Sequence, residues 1–131
     1  MTIHEDYFNY TLKWQREYGE KTIVFVKLGA FYEVYALQDD NTTYGSKIVE
    51  CSNINKLDIA PKNVTVQGPI KDIVDENKPY QVVMAGFTAT RLTECVNNMS
   101  KEGFKVVTCR ADSHGNFICD GCSRDAGSTI C

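Results

Sequence analysis

The stretch Lys27-Leu28-Gly29-Ala30-Phe31-Tyr32-Glu33-Val34-Tyr35 decides how this chain is read. It continues from Thr22 to Leu28, a segment β-branched or apolar at nearly every position, the pattern of a strand buried on both faces. Gly29 permits a tight backbone path, so a second strand starts at Phe31. On an extended chain Phe31 and Glu33 point to one side and Tyr32 to the other. One face of this strand therefore pairs an apolar ring with a carboxylate. Spacing alone leaves two readings open: Phe31 in the core with Glu33 solvated, the ordinary case for phenylalanine, or Phe31 exposed as a wedge beside a carboxylate.

Upstream, Thr2 and Glu5 have the spacing of a capping box. Tyr7, Tyr10, Trp14 and Tyr18 recur at helical spacing, so residues 4–18 read as an amphipathic helix stopped by Gly19, its aromatic stripe facing a core. Downstream, Asp39 and Asp40 followed by Tyr44 and Ile48 suggest a helix over 39–50. Residues 55–79 carry all three prolines and read as mixed, with a short strand at 64–66 and a helical turn at 70–75. Gln81 to Ala85 is a strand. Leu92, Cys95, Val96 and Met99 form one helical face, with Thr88 or Thr90 as N-cap and Gly103 as C-cap. Phe104 to Cys109 is a further strand, then a turn at 113–116. Alternating strands and helices predict an α/β fold: a mixed β-sheet flanked by helices in a single domain.

Composition agrees. With 131 residues, 43% hydrophobic and 24% charged, the chain suits one globular domain with its own core. No apolar run approaches the ~20 residues of a membrane-spanning helix, and no secretory signal is visible. An intracellular protein without a membrane partner is the expectation, with nucleus, mitochondrion, cytoplasm and virus factory all open. The net charge of −3 gives no global basic field to attract nucleic acid.

The six cysteines read as reduced thiols. Cys119-Asp120-Gly121-Cys122 is a lone C-x-x-C knuckle whose other candidates, Cys109, His114 and Cys131, are irregularly spaced, so no metal site is assigned. Asp120-Gly121 suggests a turn rather than the helix start a redox motif needs. His4 and His114 have no evident nucleophile at hand, and no G-x-x-x-x-G-K-[ST] phosphate loop is present. No catalytic residue is assigned.

Three ordered anchors carry a resemblance: Gly29-Ala30-Phe31-Tyr32-Glu33, Met84-Ala85-Gly86-Phe87 and Gly103-Phe104-Lys105-Val106-Val107. With the opening helix and buried strand, they resemble the N-terminal, mismatch-recognition domain of the MutS family of DNA mismatch-repair ATPases. The resemblance covers residues 4 to about 110. It implies a recognition domain over 1–110, with 111–131 a Cys/Gly/Ser-rich tail or the start of a connector. By the same resemblance Phe31 is the wedge that stacks on a mispaired base and Glu33 hydrogen-bonds to that base, with Gly29 and Tyr32 as motif support. Lys27, Lys56 and Arg91 are candidate phosphate contacts, each equally compatible with an ordinary solvated surface.

The implied partners are mismatched double-stranded DNA and, in a longer parent protein, further domains and a second subunit of a MutS-type dimer. ATP and Mg²⁺ belong to that parent ATPase. No cofactor is expected in these residues, which read as a binding module rather than an enzyme. Two departures stand out. Ala30 replaces an acidic residue common in the family, and Phe87-Thr88 replaces a common proline turn. Competing readings are a structural or interaction domain of the same fold that has lost lesion recognition, and a small zinc or thiol protein built on the C-terminal cysteines.

Overall fold

A computed structural model describes residues 3–123. Helix α1 (Ile3–Tyr18) leads into β1 (Thr22–Leu28), β2 (Phe31–Asp39) and β3 (Thr42–Tyr44). Then come α2 (Ile48–Asn55), β4 (Ala60–Gln67), β5 (Pro79–Thr88), a 3₁₀ turn (Ala89–Arg91), α3 (Leu92–Lys101), β6 (Lys105–Ala111) and β7 (Phe117–Ser123). The seven strands form one mixed sheet in the order β4-β5-β2-β1-β6-β7, with β3 beside β2. β1 and β6 are parallel; every other pairing is antiparallel. The α/β reading with a mixed sheet in a single domain is what the structure shows.

Covering both faces explains the central strands. Ile23 to Val26 and Val34 to Leu37 are all buried, as strands between two helical layers must be. α1 takes the face that carries Tyr35: Tyr7 meets its ring edge-on at 5.2 Å, and the Tyr7 hydroxyl donates to the Val24 carbonyl at 2.8 Å. The aromatic stripe of α1 continues over the sheet, Tyr10 meeting Phe117 of β7 at 5.3 Å. α2 and α3 pack on each other and on β2, β5 and β6, and cover the opposite face. None of the described helices is long and apolar enough to cross a membrane.

Several expectations need correction. Residues 39–50 are not a helix: Asp40 turns the chain at φ +50, β3 pairs back on β2 from Asp39↔Thr42 to Leu37↔Tyr44, and α2 begins only at Ile48. Asp40 and Asn41 therefore act as turn residues, which tolerate such backbone, rather than as a helix start. Ile70 and Val74 form an isolated bridge instead of a helical turn. Neither Thr88 nor Thr90 caps α3, whose N-cap position is Arg91; their hydroxyls bond each other at 2.9 Å. Residues 117–123, within the stretch read as a Cys/Gly/Ser-rich tail or the start of a connector, form β7 on the edge of β6. Thr2 of the expected capping box and Cys131 lie outside the described residues.

Cys51, Cys95, Cys109 and Cys122 are free and buried, and burial pushes the Cys51 and Cys109 thiols up to about 12. Cys119 is disulfide-bonded, a correction to the all-reduced reading. The Asp120-Gly121 turn is likewise a strand segment, in a ladder whose register shifts between Thr108 and Cys109. Among the described residues no group of three or more His, Cys, Asp or Glu is placed to hold a metal ion.

Candidate nucleic-acid interface

The β1–β2 hairpin closes on the pair Leu28↔Phe31 with only Gly29-Ala30 between. Gly29 has φ +61, the sign required at the first central residue of a II′ turn, which suits glycine. The tip is braced from the side: the Ala89 amide donates to the Ala30 carbonyl at 2.8 Å, and Phe31 lies opposite Thr88 of β5. Phe31 is 50% exposed. Of the two readings left open by spacing, the exposed ring is the one observed.

Tyr32, on the other side of the strand, is buried and stacks on Phe87 at 5.8 Å with 19° between the planes. Phe87 in turn meets Phe25 edge-on at 5.0 Å. Tyr32 thus roots the strand that carries Phe31.

Glu33 lies opposite Gly86. A Cβ at Gly86 would crowd the Tyr32 carbonyl oxygen at 3.2 Å and make ordinary contact with Glu33 Cγ at 3.6 Å. The Tyr35 hydroxyl donates to Glu33 Oε1, and Lys62 Nζ is 3.7 Å from the same oxygen. The Glu33 side chain is only 13% exposed. Burial raises the Tyr35 pKa, and the bond to Glu33 raises it further, so the phenol remains a donor. His4 packs edge-on against the Tyr35 ring at 4.7 Å. Tyr35 and Lys62 are not picked out by the sequence reading, which weighs His4 only for catalysis. Strand alternation puts Tyr35 on the side of Glu33 and was the available signal; Lys62 had none, since it lies in the patternless 55–79 stretch.

The three candidate phosphate contacts do not form one group. Lys27 is exposed on β1, paired with Tyr32 and Arg110, close to the hairpin tip. Arg110 bonds Asp120 at 3.0 Å. Lys56 is exposed at the left-handed C-cap of α2. Arg91 is tied down, its Nη2 donating to Glu94 at 2.6 Å and to the Asn55 carbonyl at 3.4 Å. That carboxylate neutralises Arg91, which makes it the poorest phosphate ligand of the three.

No family model matches the chain. It is 28% identical over 117 residues to a protein of Acanthamoeba polyphaga mimivirus described as a DNA mismatch repair protein mutS homolog. The match covers 89% of this chain and 10% of that protein, so the chain spans about a tenth of the length of this curated relative. The similarity is to a MutS homologue and runs over most of this chain.

Proposed function

We propose that this chain is the mismatch-sensing module of a larger MutS-type repair protein, with Phe31 as the wedge and Glu33 as its partner at the base edge. The observation that supports this most is a half-exposed phenylalanine on the tip of a braced hairpin, with a carboxylate two residues away on the same side. An intact duplex resists unstacking at a cost of a few kcal/mol per step, and a mispaired step resists less. An apolar ring pressed into the duplex from the minor groove therefore senses local deformability rather than a base code. A carboxylate among phosphates weakens binding unless it accepts a hydrogen bond from a base. Its role is discrimination, not affinity.

The net charge of −3 fits a module whose backbone contacts come chiefly from other parts of the parent. Of the three candidates, Lys27 and Lys56 are exposed and make no ion pair among the described residues, so they can add to them. ATP and Mg²⁺ would act in the parent's ATPase region, since these residues hold no phosphate loop, and nothing in the sensing step runs through them. The isolated 131 residues are expected to bind duplex DNA weakly and with little preference. Titration of labelled matched and mismatched duplexes tests the proposal. In the full reading frame, Phe31→Ala should cut mismatch preference by about 10- to 100-fold, the range of one base–aromatic stack, with folding intact. Unchanged preference would defeat the proposal and favour an interaction domain.

A further inference from the structure

Resting on that reading, we propose that Tyr35 and Lys62 are positioning residues for Glu33. They hold Oε1 and leave Oε2 as a fixed acceptor, which favours mispaired bases that present an imino N–H. Both contacts to Glu33 converge on Oε1. Among the described residues no hydrogen bond reaches Oε2, and Oε2 is not among the buried polar atoms that lack a partner, so it keeps contact with solvent. A carboxylate only accepts, and its two close neighbours are donors. Thymine and guanine present a ring N–H on the pairing edge, whereas adenine and cytosine present a ring nitrogen acceptor there. At the ring position the acceptor at Oε2 matches the first pair; adenine and cytosine offer it a donor only through the exocyclic amino group beside that position.

Both holders are themselves held. The Tyr35 ring packs edge-on against His4 at 4.7 Å and Tyr7 at 5.2 Å, and its carbonyl accepts from the Ser46 hydroxyl at 2.5 Å. Lys62 comes from β4, two strands away from Glu33 in the sheet. It reaches Glu33 from the irregular segment between Pro61 and Thr65, where the β4–β5 register shifts. Such irregularities re-aim side chains. The Gln81 amide fastens this one, donating to the Lys62 carbonyl and, at 3.0 Å, to that of Val64. Lys62 Nζ also lies 5.8 Å from the Tyr35 ring centroid, so the three side chains form one unit.

The test measures affinities of the full reading frame for G·T, A·C and matched duplexes by fluorescence anisotropy. Tyr35→Phe keeps the ring and removes the donor; Lys62→Met keeps the stem and removes the charge. Each should lower the preference for G·T over matched DNA about fivefold, the scale of one hydrogen bond, and change A·C by less than about twofold, well under that scale. Lys62→Arg should restore the preference. In a Glu33→Ala background Tyr35→Phe should have no further effect, because nothing is left to position.

Phe31→Ala separates two kinds of failure. If it spares mismatch preference, the wedge reading itself falls. If it abolishes preference while Tyr35→Phe and Lys62→Met do nothing, only the positioning role falls. A rise in G·T preference with Tyr35→Phe would make Tyr35 a competitor for Glu33 and also overturns the inference. Lys62 is partly exposed, so Lys62→Met keeps the test open should the tyrosine variant fail to fold.

Discussion

The two parts of β2 make opposite use of apolar side chains. Val34, Tyr35, Ala36 and Leu37 are completely buried in succession, because this part of the strand lies between the helical layers. Three residues earlier the same strand leaves Phe31 half in water, because the hairpin runs past the helices that cover the sheet. Fully burying such a side chain contributes about 1.5–3 kcal/mol, and the tip forgoes much of that. The body of the strand supports the fold, and the tip presents a ring to whatever the fold meets. Tyr32 links them, buried beneath the tip and stacked on Phe87.

The largest effect that would sharpen this contrast is in stability. Leu37→Ala should cost about 2–5 kcal/mol, the range for buried leucines, whereas Phe31→Ala should stay within about 0.5 kcal/mol. Urea denaturation of the two variants against the parent measures both. Equal losses would mean that the Phe31 ring is packed after all, and the contrast between tip and body would disappear.

Glycines on the two sides of the contrast come next. Gly45 has φ +92, and a Cβ there would stand 2.8 Å from Phe8 Cδ1. Gly45→Ala therefore combines backbone strain with a clash in the body, and should cost about 2–3 kcal/mol. Gly29 has φ +61 and open space around its missing side chain, so Gly29→Ala should cost only about 1 kcal/mol. If Phe31 is the wedge proposed above, the larger expected effect of Gly29→Ala is on mismatch preference, since a changed turn re-aims that ring. Thermal melts with duplex titrations check both halves. A Gly29→Ala variant as damaged as Gly45→Ala would show that the turn supports the body.

These contrasts also explain what was legible in the sequence. Helix α1 and strands β1, β5 and β6 were readable because their periodicity is set by burial, and burial is local in the pattern of side chains. β3 was missed because three residues, Thr42 to Tyr44, carry too little pattern to outweigh Asp39-Asp40, which suit a helix start as well as a turn. Only the far end of β2, unpaired on that side, decides between them. β7 was missed for a related reason: Phe117 finds its partner in Tyr10, over a hundred residues earlier. At the site, Phe31 and Glu33 were visible in a motif, but spacing could not say which side of the sheet lacked a cover. Lys62 was invisible. Its reach depends on a register shift and on the Gln81 amide, neither of which leaves a trace in residue order.

The smallest expected effect links the two ends through pH. His4 is buried beside Tyr35, and its Nδ1 has no hydrogen-bond partner among the described residues. Burial lowers its pKa from 6.5; the Lys62 cation lowers it further, and the Glu33 carboxylate opposes them. The unfolded chain therefore binds this proton more readily than the native one. The linked stability is complete above about 6.5 and is lost as pH falls from there toward the lowered native value. His4→Phe should remove that dependence while keeping an aromatic edge against Tyr35. Denaturation at pH 7.5 and 5.5 should show a smaller acid loss for the variant than for the parent, and comparing the two chains cancels the other titrating groups. Identical acid losses would mean that His4 is charged in the native state. It would then stand as a second cation beside Glu33, and the clamp on that carboxylate would extend from the tip of β2 into the helix that covers its body.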